Sequence, residues 1–271
     1  MRCVNQIHRI AACVAGLALG AGAAVGQNII SFSFTANGDN SANPQSGYLE
    51  ASELAGAPGV RSANWNNLMQ SADNLHPGAG LFDGTFGDTE TVYYNDGTIV
   101  GGGFTFSGPI GFQDRSNGSF SNDREMFNGV RDAFGGNTTI TLNNIPFAQY
   151  DLYAYMFDDG AQRVGTYTVG SLTYYVRGGV GVPDDTGAGY LLSTDITGGT
   201  VAADFDQGNY VRFSHLTAGS VSLVVDAIDI GNLARNKIAG IQIVAVPEPG
   251  TAGLLGLGAL AGVMAWRRRR N

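Results

Sequence analysis

Between Ile29 and Val244 the chain is a succession of short runs in which apolar and polar residues alternate, cut by turns rich in glycine, asparagine and aspartate. Side chains of a strand point alternately to its two faces, so each run has one face to bury and needs a partner sheet to bury it. Ile29 to Phe34 alternates after its first residue, and Asn95-Asp96-Gly97, between 89–94 and 98–106, is a hairpin turn sequence. Thr138 to Leu142 sets Ile140 and Leu142 against threonines, and Tyr150 to Phe157 places Leu152, Ala154 and Met156 on one face. Its other face carries Asp151, Tyr153, Tyr155 and Phe157, and so is either covered by a second layer or offered to a ligand. Further runs follow at 165–169, 172–176, 189–193, 209–214, 221–227 and 239–244. Residues 123–134, with Met126, Phe127, Val130 and Phe134 at helical spacing, read as the one helix of any length, or as a helical loop crossing one end of the sheets. Glu50 to Ala57 suits a helical turn, and Trp65-Asn66-Asn67-Leu68 has little strand character. Helices long enough for parallel crossovers are missing, so the expected fold is mainly β: a jelly-roll-like β-sandwich over residues 27–245.

The two ends have a different composition. Arg2, His8 and Arg9 precede an apolar stretch from Ile10 to Val25, and Ala24-Val25-Gly26 fits a signal-peptidase site, so residues 1–26 read as an export signal peptide. Cys3 and Cys13, the chain's two cysteines, both lie inside it. An exported body without cysteine has no disulfide and no thiolate ligand or nucleophile, and must be held by its own core. At the other end, residues 246–271 read VPEPGTAGLLGLGALAGVMAWRRRRN. Pro247-Glu248-Pro249 is stiff and non-helical. The 17 residues from Gly250 to Trp266 carry no charge, and as a helix they are near the lower limit of length for crossing a hydrocarbon core of about 30 Å. Arg267, Arg268, Arg269 and Arg270 then act as a stop-transfer cluster that stays cytoplasmic and leaves the body outside.

Tripeptide, short transmembrane helix and arginine cluster, in that order, resemble the PEP-CTERM sorting signal of bacterial exported proteins. The resemblance implies an exosortase-type membrane protease as partner, cleavage near Pro247-Glu248-Pro249, and passage from a membrane-tethered intermediate to the cell surface or the extracellular matrix. A permanent anchor is the alternative. The body also carries family marks: Trp65-Asn66-Asn67-Leu68, the Asn144-Ile145-Pro146 corner leading into Tyr150-Asp151-Leu152-Tyr153, Gly208 to Phe213, and Ile238 to Val244. These are similar to exported β-sandwich domains related to galactose-binding-like jelly rolls, a resemblance that transfers no catalytic residues.

Of 15 basic and 23 acidic residues, the ends hold six and one, which leaves nine against 22 and a body charge of about −13. Such a body repels nucleic acid and anionic membrane surfaces. No Gly-x-Ser-x-Gly or His-Glu-x-x-His motif occurs, His76 and His215 stand apart, and Glu50, Glu53, Glu90 and Glu125 lie in turn-rich segments. A glycoside hydrolase built on scattered carboxylates is the less favoured reading, and the expected protein is not an enzyme and needs no cofactor. If any ion is held it is a structural calcium, because the body offers oxygen ligands and no thiols. Asp158 and Asp159 lead the candidate loops, with Asp184-Asp185 and Asp226 with Asp229 beside them. A carbohydrate-binding module, with extracellular polysaccharide as partner, is the alternative function, and Trp65, Tyr153 and Tyr155 are its candidate aromatic contacts.

Overall fold

The computed structural model describes residues 27–34, 48–68, 85–86, 91–108, 112–113, 122–133, 136–157, 163–184, 186–231 and 234–247. Residues 1–26, expected to be a signal peptide, Asp158, Asp159 and Asp185, and everything after Pro247 lie outside the described residues. No helix among the described residues is long and apolar enough to cross a membrane.

The protein is mainly β. Strands β1 (Ile29–Ser33) and β2 (Asn66–Asn67) are followed by β3 (Thr85–Phe86), β4 (Thr105–Ser107) and β5 (Phe112–Gln113). The helix α1 (Asn122–Asn128) runs into β6 (Gly129–Asp132), β7 (Asn137–Asn143), β8 (Tyr150–Tyr155), β9 (Val164–Val169) and β10 (Leu172–Arg177). The chain closes with β11 (Tyr210–Leu216), β12 (Val221–Ile228), β13 (Lys237–Ile238) and β14 (Gly240–Ala245).

A five-stranded sheet has the order β11-β8-β14-β1-β2, a six-stranded sheet the order β10-β9-β12-β7-β4-β3, and a small sheet the order β13-β6-β5. The two large sheets share one core. Ile30, Phe32, Leu152, Ala154, Phe213, Ile241 and Ile243 of the first meet Phe106, Ile140, Leu142, Tyr167, Leu223 and Val225 of the second. The Phe32 and Phe106 rings lie 4.7 Å apart, and Tyr174 meets Phe213 edge-on at 5.1 Å.

All six residues of β8 are buried, so both faces of the five-stranded sheet are covered. On the outer face Tyr153, Tyr155, Phe157 and Val244 pack under Leu49, Ala55, Ala57, Val60, Trp65, Met126 and Phe127. Residues 48–68 and α1 therefore form a third layer, which settles the choice left open by the aromatic face of β8 in favour of cover.

Several expectations need correction. The helix stops at Asn128 rather than 134, because Gly129 is a poor helix residue and Val130 is β-branched, and because β6 gains ladder partners on both sides, β13 and β5. Residues 50–57 form a single turn, with the Glu53 N–H on Glu50 O at 3.0 Å, followed by an Ala55–Ser62 bridge. The hairpin at Asn95-Asp96-Gly97 is present but narrow, closed by Tyr94 N–H on Thr98 O and a Tyr93–Ile99 bridge.

Two asparagine-led segments depart from the pattern for one reason. Within Trp65 to Leu68, Asn66 and Asn67 form the short strand β2 beside β1, and their side-chain amides extend the ladder. Asn66 Nδ2 donates to Ser31 O (2.9 Å) and Tyr93 O (3.0 Å), while Asn66 Oδ1 accepts from Tyr93 N. Asn67 does the same for Leu49, accepting from its N–H and donating to its carbonyl, each at 2.9 Å. Conversely, the expected strand 189–193 is reduced to a Leu192–Tyr210 bridge, because Asn209 takes the Leu191 N–H and donates to Gly189 O through its side chain.

Gly165 is where β9 meets the buried Asn236. A Cβ there would lie 2.0 Å from the Asn236 side chain, which accepts from the Tyr167 hydroxyl at 2.9 Å and donates to Asp226 O at 3.0 Å. Gly165→Ala is expected to destabilise the fold by about 2–3 kcal/mol, as overpacking does, read as a lower urea midpoint; an unchanged midpoint would show that Asn236 moves aside freely.

Candidate functional site: the polar centre and the tail junction

Under the third layer the structure gathers polar groups that lie far apart in sequence. Gln242, on the outer face of β14, is wholly buried. Its Nε2 donates to Ser62 Oγ (2.8 Å), Val60 O (3.0 Å) and Ser31 Oγ (3.1 Å), and its Oε1 accepts from the Tyr155 hydroxyl. Tyr155 Oη in turn accepts the Ala57 N–H at 3.0 Å. Beside it, Asp123 at the start of α1 accepts from Arg61 Nη1 (2.6 Å), the Tyr190 hydroxyl (2.6 Å) and Gly56 N (2.9 Å). Burial pushes the Asp123 carboxyl up against the pull of those donors, and burial also raises the Tyr155 and Tyr190 hydroxyls. Each donor has an acceptor, so the cluster locks 48–68, α1 and the 182–190 loop onto β8 and β14.

This arrangement corrects the reading of Trp65, Tyr153 and Tyr155 as an exposed aromatic platform. Trp65 and Tyr155 rings lie 6.2 Å apart inside the second core, with Trp65 Nε1 donating to Ser62 O. Tyr155 is fully buried. Tyr153, 7% exposed, stacks on Tyr210 at 6.2 Å under Arg212, whose guanidinium lies 5.6 Å from its ring and also pairs with Asp151 at 2.6 Å. Sequence gave the residue types but not which side of the cover they lie on.

The acidic residues do several jobs. In Asp96-Gly97-Thr98, Asp184-Asp185-Thr186 and Asp195-Ile196-Thr197 the aspartate Oδ1 accepts both the N–H and the hydroxyl of the threonine two residues on. The threonine contacts hold Asp96 and Asp184 below the usual carboxylate range. Asp226 Oδ1 takes the Ala227 N–H and Asp229 Oδ1 the Gly231 N–H. Among the described residues no group of three or more carboxylates and imidazoles is placed to hold a metal ion. His215 contributes its backbone: at φ 58° in the irregular end of β11, its N–H donates to Asp151 Oδ1 at 2.8 Å. Glu125 is different, for burial together with Glu53 and Glu50 pushes it up to about 8. Nothing in the spacing of 50, 53 and 125 announces that meeting.

At the end of the five-stranded sheet the two ends of the described body lie side by side. Ala245 N donates to Asn28 O at 2.9 Å, and Gln27 Nε2 donates to Ala245 O at 2.6 Å. Val246 N donates to Gln149 O at 2.9 Å, and the next residue, Pro247, is exposed. β14 itself is an inner strand, paired along its length with β8 and β1. The chain thus leaves a finished sheet at one residue.

Residues 245–270 match the profile of the PEP-CTERM protein-sorting motif. The tail is a PEP-CTERM motif. It starts on the last residue of β14 and clears the fold at Pro247. A PEP-CTERM motif supports sorting through an exosortase, a membrane enzyme, to the cell surface, and implies export with a membrane-anchored stage before release. No curated protein and no solved structure matches the chain.

Proposed function

We propose that this is a non-enzymatic surface or matrix protein, exported with loss of residues 1–26 and tethered by Gly250 to Trp266 with Arg267 to Arg270 in the cytoplasm. An exosortase-type protease then cuts at Pro247-Glu248-Pro249, and the body, a jelly-roll-like sandwich, is delivered outside. The observation that carries this reading is the PEP-CTERM motif meeting the body at an exposed Pro247 directly after an inner strand. A cut there removes no ladder bond, so delivered and tethered bodies have the same fold. The engagement of aspartates in turns and ion pairs supports a passive scaffold over a hydrolase.

Replacing Pro247, Glu248 and Pro249 by alanine is expected to abolish the shift to the smaller species on blots and to hold the full-length chain in the membrane fraction. Processing at the native rate in that variant would reject the sorting role of the tripeptide.

A further inference from the structure

The six-stranded and the small sheet meet at a cleft that the sorting reading does not use. Its cavity of about 260 Å³ is lined by Arg131 and Asp132 of β6, Gly136, Asn137 and Thr138 leading into β7, and Arg235 ahead of β13. The site is held from below by backbone: Lys237 and Ile238 pair with Asp132 and Arg131, and Ala133 N donates to Asn236 O at 2.7 Å.

Arg235 grips Asp132 one-sidedly. Its Nε (2.6 Å) and Nη2 (2.5 Å) both go to Oδ2, while Asp132 Oδ1 is buried and has no hydrogen-bond donor. Asp132 is 4% exposed. A buried carboxylate oxygen without a donor costs about 1–3 kcal/mol, and such groups are normally satisfied. An O–H or N–H donor held in the cleft would satisfy it. Among the described residues two guanidinium groups and one carboxylate line the cavity, so the balance of those side chains is positive on a body whose net charge is about −13. Lys237, the buried ladder partner of Asp132, is a further cation of the same sheet, and Asp226, the ladder neighbour of Asn137, is an anion of the next. Among the described residues that line the cavity none is aromatic, and those residues recognise by hydrogen bonds and charge. The volume falls below the roughly 300–1,000 Å³ of drug-sized pockets and suits a single ring.

We infer that the Arg131–Asp132–Arg235 cleft binds an acidic sugar, a uronate unit of an extracellular polysaccharide. One ring hydroxyl donates to Asp132 Oδ1 and the carboxylate lies against the guanidinium side of the cleft. The Asn137 amide and Thr138 hydroxyl, which both donate and accept, serve the remaining hydroxyls. The inference does not depend on how the tail is processed, and its test leaves sorting untouched.

The test uses the full chain extracted from membranes in detergent, titrated with galacturonate and an oligogalacturonate by ligand-observed NMR, with galactose and acetate as comparison arms. Galacturonate is expected to saturate with Kd of about 1 mM or tighter, and galactose and acetate to bind at least about tenfold more weakly, since each lacks one half of the recognition. Gly136 faces open space and has no positive φ, so Gly136→Phe fills the cleft without backbone strain; loss of binding with an unchanged Tm is expected. Asn137→Ala, at an exposed position, gives a second variant that does not touch the Asp132 ion pair. Absence of saturable galacturonate binding, which would mean that water alone satisfies Oδ1, overturns the inference. So does equal affinity for galactose, or full binding by folded Gly136→Phe.

Discussion

Tyr155→Ala is expected to lower the melting temperature by roughly 12 °C, the largest loss of any single substitution in the second core. The ring is fully buried and touches four others, with centroids 6.2 Å from Trp65, 6.3 Å from Phe127, 5.9 Å from Tyr190 and 6.1 Å from Tyr210. Deleting a buried aromatic ring costs about 3–5 kcal/mol, and about 4 kcal/mol corresponds to that shift for a domain of this size. Tyr155→Phe separates packing from polarity. It keeps the rings in contact but strips the Ala57 N–H of its acceptor and Gln242 Oε1 of its donor, at about 2 kcal/mol. Adding Gln242→Leu to Tyr155→Phe should cost less than the two single losses combined, because a polar group whose partner is already gone has less to lose. Strict additivity in thermal melts would refute the coupled network.

Glu125→Gln is expected to change how stability depends on pH. The folded carboxyl is raised from 4.5 to about 8 by burial and then by Glu53 and Glu50. The fold therefore prefers the neutral form. Below about pH 4.5 the group is protonated folded and unfolded, and its contribution is complete. As pH climbs from 4.5 towards 8 the unfolded chain releases the proton first, binds fewer protons than the fold, and the fold loses stability. The loss amounts to roughly 3 kcal/mol, allowing for partial solvation of the carboxyl. Urea titrations at pH 5 and pH 8 should show the native protein weaker at pH 8, and Glu125→Gln should remove most of that difference. The depressed aspartates do not confuse the reading, because their contribution disappears only below the ordinary carboxylate range. Equal slopes for the two proteins would show Glu125 to be ionised in the fold.

Most strands were legible because period-two alternation is a local signal. Leu152 and Ala154 face one way and Tyr153 and Tyr155 the other, as the order of residues requires. Alternation does not say how many layers exist. The cover over β8 is built from 48–68 and α1, irregular segments whose only marks are scattered apolar residues such as Leu49, Val60 and Trp65. The Asn66–Asn67 strand was missed because its parallel pairing with β1 is only two residues long and is reinforced by side-chain amides, which no backbone propensity records. The aspartate–x–threonine turns were readable in principle, since the same triplet recurs at 96, 184 and 195. The meeting of Asp132 with Arg235 was not, for 103 residues separate them and only the pairing of β13 with β6 brings them together. The PEP-CTERM tail needed no folding to be recognised, because it is addressed to an enzyme and not to the core.

The contact of Gln27 and Asn28 with Ala245 has a topological consequence. A short linker from residue 246 back to residue 27 would close the body into a ring without bending a strand, so a circular permutant opened at a surface turn such as Asp96-Gly97 should reach the same fold. The native break in that ring lies where the tail departs, which lets the sandwich hang from a single pole and turn its whole remaining surface away from the point of attachment.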